Sequence, residues 1–418
     1  MGNRNSDQVV RRRVFYIPGY DPIHPRRYPE LYRKESADQA AISGYEIGLK
    51  PKQAGGNYGW HVNGLMDDIH VDTDVEVLVW SDIVRDSMST SIPATYLHLV
   101  RTAWVYVASG ALWRLMKLRK GPVIAALYPV GMLLVQLATA YAAFMIAKLV
   151  VTFSIYALRP WETKTQAMII ELGAVFVGVA VAVAVLRWFK TKDSKFFAYY
   201  LMHDYSYSAS SKGANPPELE TRIAVFADAI AEALTTNVDE VLIVGHSSGA
   251  HLGVSILANL IRAGRVPPNG PALSFLSLGQ VIPMVSFLPE AHRLRADLRY
   301  LSARDELTWV DVTAPGDGCA FALCDPVSVS GVAPRDKKWP LVFSAAFTQT
   351  LSPERWKELR WKFFRLHFQY LCAFDRPGDY DYFQITAGPK TLAARYGNRT
   401  PSKSRIDHAV SKYTSVAA

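Results

Sequence analysis

The sequence predicts an α/β fold: a mostly parallel sheet flanked by helices and interrupted by an inserted transmembrane helical hairpin. Three observations carry this. Val241, Leu242, Ile243 and Val244 form a continuous apolar run, as a strand buried on both faces requires. Apolar residues recur at spacings of three and four on either side of it: Leu219, Ile223, Phe226, Ile230 and Leu234 before, Leu252, Ile256, Leu257, Leu260 and Ile261 after. Helix, strand and helix in series form a βα unit of a parallel sheet. Third, residues 123–151 and 167–186 are almost wholly apolar, and each run is long enough to cross about 30 Å of hydrocarbon as a helix.

Taken in order, Arg13 to Ile17 reads as a short strand running into the loop Pro18-Gly19-Tyr20-Asp21-Pro22, and Val75 to Trp80 as a second strand ending at Ser81-Asp82. These make residues 1–90 the first part of the sheet domain. Tyr96 to Met116 is aromatic and apolar with spaced Arg101 and Arg114, the pattern of an interfacial amphipathic helix, with a third span the less favoured reading. Residues 91–200 are thus a membrane insertion. Gly173, Ala174, Gly178, Ala180, Ala182 and Ala184 in the second span permit close packing on the first. Residues 201–395 resume the sheet domain. A helix opens at Asn215-Pro216-Pro217 with Asn215 as its cap, and Gly264 closes the helix after the central strand. Further strands are expected at Leu273–Leu278, Leu307–Thr313 and Pro340–Phe347. Gly378 to Gly388 is aromatic and either lines a pocket or packs on the core, and 396–418 reads as a polar, mobile tail.

The net charge is +9. No nucleic-acid motif accompanies it. The basic residues collect at Arg11-Arg12-Arg13 and beside the apolar segments, which points to a membrane surface. Arg114, Lys117, Arg119 and Lys120 precede the first span, and Arg187, Lys190, Lys192 and Lys195 follow the second. The connection holds only Arg159 and Lys164, offset by Glu162, beside Pro160 and Trp161. The positive-inside rule then places both outer flanks in the cytoplasm. Three cysteines, Cys319, Cys324 and Cys372, without metal-ligand spacing fit a reducing compartment and suggest no metal site. Met1-Gly2-Asn3-Arg4-Asn5-Ser6 matches a loose myristoylation pattern.

The chemistry-bearing motif is Gly245-His246-Ser247-Ser248-Gly249. A G-x-S-x-G turn between a strand and a helix lifts its serine above the sheet in a strained conformation, and glycines flank it because side chains there would strike the strand or helix. With Phe15-Tyr16-Ile17-Pro18-Gly19-Tyr20 and a later acid and histidine, the chain resembles the α/β-hydrolase superfamily in its lipase and esterase style. The resemblance covers about residues 10–90 and 200–395. It departs from the family where Pro18 stands in place of the frequent His before Gly19, and in the membrane hairpin.

The resemblance implies an α/β-hydrolase-type sheet and the order serine, acid, histidine. Asp317, in the loop after the strand Leu307–Thr313, is the expected acid, with Asp311 and Asp325 as rivals. His367, late and among aromatics, is the expected base. His246 is too close to Ser247 in the chain to serve, His251 is on the elbow helix, His292 precedes the acid, and His408 lies in the tail. The backbone N–H groups of Tyr20 and Ser248 are the expected oxyanion donors. The reading is a membrane-anchored serine hydrolase, without cofactor, that cleaves an acyl ester of lipid type beside a bilayer. The alternative is a catalytically inactive membrane scaffold or partner-binding protein of the same fold. A transport component is least favoured, since Lys148 and Glu171 are the ionisable residues of the spans and sit toward their ends.

Overall fold

The computed structural model describes residues 8–52, 55–88, 91–158, 160 and 163–417. The myristoylation pattern and Arg159, Trp161 and Glu162 of the hairpin connection lie outside them. The chain divides into two compact units: residues 1–86, 105–123 and 208–418 form one, residues 87–104 and 124–207 the other.

The first unit holds a mixed eight-stranded sheet flanked by helices. Its strands are β1 (Arg11–Ile17), β2 (Glu46–Pro51), β3 (Gly59–Met66), β4 (Ile69–Val77), β5 (Glu240–His246), β6 (Ala272–Leu278), β7 (Leu307–Thr313) and β8 (Leu341–Ser344), in the spatial order β2-β3-β4-β1-β5-β6-β7-β8. From β4 through β1 to β8 all pairings are parallel. The strands β2, β3 and β4 pair antiparallel. Strand β5 is buried at every position. Its residues alternate between two cores. Leu242 and Val244 join Val14, Tyr16, Leu276, Leu278, Val310 and Val312 beneath Tyr28, Tyr32 and Phe383. On the other face Phe275 and Ile17 meet the helix Gly249–Arg262 at Gly253.

The structure corrects several expectations. The second strand runs over Ile69–Val77 rather than Val75–Trp80, and it is the second arm of a hairpin whose tip, Asp67-Asp68, takes positive φ at both residues (53° and 59°). That is the turn geometry whose twist matches paired strands. Asn215 does not cap its helix: Pro216 occupies that place, and the Asn215 amide donates to Glu220 Oε1 at 2.8 Å. The last strand is four residues, Leu341–Ser344. The interfacial segment Tyr96–Met116 is two helices, Ile92–Ala108 and Ala111–Leu118, broken at Gly110 with φ 75°. Residues 105–123 cluster with the sheet unit. Tyr106 O–H donates to Met284 O at 3.0 Å, and Arg114 Nη1 to Val410 O at 2.8 Å.

The basic triplet is no membrane patch either. It forms β1, where buried Arg12 pairs with Glu240 at 2.7 Å and donates to the carbonyls of Gly388 and Lys390. The polar tail is docked, not mobile. Ile406 N–H donates to Leu323 O, Asp325 N–H to Ile406 O, and Val410 and Ser411 N–H to Val329 O. Buried Arg295 reaches Ser415 O at 2.7 Å as well as Ser286 O, Leu288 O and Pro289 O. The aromatic stretch 378–388 packs on the core through Tyr380, Tyr382 and Phe383.

The helices Lys120–Leu158, which belongs to the second unit from Ile124 on, and Lys164–Thr191 are 39 and 28 residues long and apolar enough to cross a membrane. Thr163 starts the second with a reciprocal cap to Gln166, both bonds at 3.2 Å. The helices pack closely where a β-carbon on Gly178 would lie 2.7 Å from the Phe144 ring. Lys148 and Glu171 pair across them at 2.8 Å. Leu149, Ile146, Phe153 and Phe176 are exposed along their outer faces.

Candidate active site

Because β1, β5, β6 and β7 run parallel, their carboxyl ends share one edge of the sheet, the usual place for a site in an α/β fold. Register puts Ile17 beside Gly245, His246 beside Leu278, and Leu278 beside Val312. The three expected groups therefore leave the sheet from neighbouring strand ends. Ser247 follows β5, Asp317 follows β7, and His367 arrives on a short helix, Phe363–His367, beyond β8.

Ser247 has φ 57°, a left-handed conformation that is costly for a residue with a side chain and is held only where the surroundings enforce it. Its N–H donates to Leu278 O at 2.9 Å, its carbonyl accepts from Ala250 N–H at 3.1 Å, and the helix Gly249–Arg262 begins two residues on. Both flanking glycines are sterically required. A β-carbon on Gly245 would lie 2.8 Å from Ala250 Cα, and one on Gly249 only 2.1 Å from Ile17 O. The second contact also shows that the loop after β1 lies against the elbow. A β-carbon on Gly19 would sit 3.0 Å from Ser247 Cβ and 3.5 Å from its Oγ. Trp80 fixes this loop by donating Nε1–H to Pro18 O at 3.0 Å. Gly19, which precedes Tyr20, thus lies against Ser247, and Ser248 stands at the amino end of a helix where N–H groups lack intrahelical acceptors.

Asp317 and His367 are brought together: His367 Nδ1 lies 2.7 Å from Asp317 Oδ2, and both side chains are buried. Asp317 also accepts from Cys319 N–H at 2.8 Å and Tyr370 O–H at 3.0 Å. Burial raises its pKa, but the facing His367 charge and these three donors lower it further, so the carboxyl sits below its usual range. The rivals are engaged elsewhere. Asp311 lies within β7, where it accepts from Ser277 Oγ at 2.5 Å, and burial pushes its pKa up to about 8. Asp325 caps the helix Pro326–Val329 and pairs with Lys337 at 2.6 Å.

The imidazole of His367 stands over Gly279, where a β-carbon would lie 3.0 Å from its Cε1. Gly279 follows Leu278, whose carbonyl holds the Ser247 N–H, so serine and imidazole occupy adjacent places on the sheet edge. His367 Nε2 is buried and makes no hydrogen bond. Bonds between a nucleophile and its base are often loose before substrate arrives.

Two contributors were not expected from sequence. Tyr370 donates to Asp317 and accepts from Ala314 N–H at 2.9 Å, tying the acid's loop to the turn after His367. His246 lies 3.0 Å from the His367 carbonyl through Nε2, and the two rings are 4.8 Å apart. A carbonyl only accepts, so Nε2 of His246 carries the proton. Burial and then the neighbouring His367 push its pKa down to about 3, and the ring stays neutral. The spacing of these residues in the chain gave no sign that either would reach His367.

The fold also gathers Asp317, Cys319 and His367 into a group whose candidate ligand atoms lie within 4.8 Å of one another, a metal-like clustering that sequence spacing did not show. Two of its atoms, Asp317 Oδ2 and His367 Nδ1, are already bonded to each other. Comparison with protein-family models, with curated proteins and with solved structures finds no match to this chain.

Proposed function

We propose that this protein is a membrane-anchored serine hydrolase of α/β-hydrolase type that cleaves acyl esters. One observation supports it most. A serine held at φ 57° between a strand end and a helix start shares a sheet edge with a buried Asp–His pair whose outer nitrogen is unbonded. Fold alone would not argue for function, and this constellation of roles does.

In this reading Ser247 Oγ attacks the acyl carbon as His367 Nε2 takes its proton. Asp317 holds the Nδ1–H and offsets the imidazolium charge, while the Tyr20 and Ser248 N–H groups hold the oxyanion. His367 then returns the proton to the departing alkoxide, leaving an acyl-serine. Water attacks that ester, giving its proton to Nε2, and collapse restores Ser247 and releases the acid.

The two long helices, with apolar side chains exposed along them, read as a membrane hairpin, and their basic outer flanks support a cytoplasmic hydrolase unit. An acylglycerol, lysophospholipid or similar lipid ester is the favoured substrate on grounds of location.

The competing reading, an inactive scaffold of the same shape, draws on the missing bond at His367 Nε2. A fluorophosphonate probe separates the two. The wild-type chain is expected to label, Ser247→Ala not at all, and Asp317→Asn and His367→Gln at least a hundredfold more slowly. Equal labelling of wild type and Ser247→Ala would sink the assignment.

A further inference from the structure

The residues leading into His367 include two exposed aromatic rings. Trp361 is 72% exposed and Phe363 45%, with their rings 6.4 Å apart. Adjacent large rings in water mark an interaction surface, because a soluble surface normally folds such area away. Their neighbours carry an excess of positive charge. Residues 353–367 carry Arg355, Lys357, Arg360, Lys362 and Arg365 against Glu354 and Glu358. Lys362 and Arg365 are exposed and share Glu358 at 2.9 and 3.6 Å, an exposed pairing that lipid phosphates can compete with, and the Arg360 guanidinium lies 5.6 Å from the centre of the Trp361 ring.

The same segment is built into the acid's loop. A β-carbon on Gly316 would lie 2.6 Å from the Trp356 ring, and one on Gly318 3.1 Å from the Phe363 ring, so the aromatic side chains bracket Asp317. Gly318 in turn faces Gly121, where a β-carbon would lie 3.4 Å from Gly318 Cα. Gly121 is the second residue of the first long apolar helix, beside Arg119 and Lys120. Exposed rings, a basic fringe and the root of an apolar helix therefore meet within the sheet unit, next to the candidate base.

We infer that Trp361 and Phe363, with Arg360, Lys362 and Arg365, dock on the surface of an anionic bilayer and hold the mouth of the site against it. Indole and phenyl rings settle at the headgroup level, and basic side chains around them are attracted by negative lipid. The docking surface defines the substrate class of the proposed activity more narrowly: an ester presented from the lipid surface, entering beside His367. The inference rests on the reading of the two helices as membrane-spanning.

Amide hydrogen exchange of the full chain in nanodiscs tests it. Exchange across 360–366 is expected to slow in nanodiscs of phosphatidylcholine with phosphatidylserine relative to phosphatidylcholine alone. The slowing is expected to vanish in Trp361→Ser/Phe363→Ser and to fall severalfold in Arg360→Gln/Lys362→Gln/Arg365→Gln, while strand 240–246 keeps its protection and shows both variants folded. Exchange that is identical in the two lipid mixtures and indifferent to either variant overturns the docking surface. So does slowing seen only after addition of a membrane extract, which assigns the patch to a protein partner. Probe labelling of Ser247 in the same samples keeps the proposals apart. A labelled serine with an unprotected 360–366 removes the docking surface alone, and a protected segment with an unlabelled serine removes the hydrolase alone.

Discussion

Tyr370→Phe removes one oxygen and leaves the ring, so its effect isolates two hydrogen bonds. The hydroxyl donates to the buried Asp317 carboxylate at 3.0 Å and accepts from Ala314 N–H at 2.9 Å. A hydrogen bond to a charged group contributes about 1.5–3 kcal/mol, and a buried N–H left without a partner costs about 1–3 kcal/mol. Together these give a loss of about 2.5–6 kcal/mol, a large part of a typical domain's stability. The two parts separate in a cycle with Asp317→Asn. A neutral amide oxygen still accepts a bond, only a weaker one, so the coupling between positions 317 and 370 is about 1–2 kcal/mol. They also separate by pH. The Asp317 carboxyl titrates below its usual range in the folded chain, so its contribution is complete above the unfolded value of about 3.9 and is lost as pH falls through the folded value. The Ala314 share does not depend on pH. Urea unfolding of the full chain in micelles, followed by indole emission, reads both. A coupling under about 0.3 kcal/mol would refute the reasoning.

Gly249→Ala forces a carbon to within 2.1 Å of Ile17 O, whereas Gly264→Ala meets no atom within 4 Å and strains only its φ of 65°. The first is expected to cost at least about 3 kcal/mol and to abolish probe labelling, the second about 1 kcal/mol with labelling kept. Equal melting of the two contradicts the close approach of elbow and β1 loop. Asp311→Asn is expected to stabilise. Its folded pKa near 8 lies above the unfolded value, so the native acid is disfavoured progressively as pH rises from about 4 to 8, by up to roughly 1.4 kcal/mol per unit, and the gain from Asn should grow over that window. Labelling of Asp311→Asn at the wild-type rate confirms that it is not the acid. His246→Phe loses the bond to the His367 carbonyl and is expected to lower kcat about tenfold with KM little changed. Since His246 stays neutral, the pH–rate profile above pH 5 should keep its shape. Deleting residues 402–418 removes the Ser415 carbonyl from buried Arg295 and the bonds to Leu323 and Val329, and is expected to lower the melting temperature by several degrees.

The elements legible in the sequence were those whose cause is local. Val241–Val244 is apolar because β5 is buried on both faces, and Gly245 and Gly249 announce the elbow because no side chain fits at either place. Asp317 was the acid that the family resemblance implied, and the parallel register puts its loop at the same sheet edge as Ser247. The hairpin of β3 and β4 was not. Its turn is Asp67-Asp68, without the glycine that usually betrays positive φ, and its strands alternate polar residues such as His61, Asn63, Asp72 and Asp74 on an open face. The tail misled for the opposite reason. Its side chains are polar, but its attachment is through main-chain groups at Ile406, Val410 and Ser411, which leave no mark on composition.

The same distinction explains how the site was only half visible. Ser247 was singled out by its motif, and Asp317 and His367 by the order that the resemblance implies; the Asp317–His367 contact is what the structure adds. What orients them comes from side chains whose partners are 53 to 121 residues away: Tyr370 on Asp317, and His246 on His367. Neither has a distinctive neighbourhood, because a tyrosine or histidine buried among aromatics looks like core packing. The orientation is nonetheless where the chemistry would be decided. If the elbow alone were preserved and the Asp317–His367 pair served only to tie loops together, replacing Tyr370 or His246 would change melting and probe labelling in proportion. If the pair works on Ser247, labelling should fall in His246→Phe well beyond any loss of stability, since the bond it removes holds the carbonyl of the very residue whose Nε2 has no partner. That disproportion is the quantity that distinguishes an active site from a well-packed sheet edge.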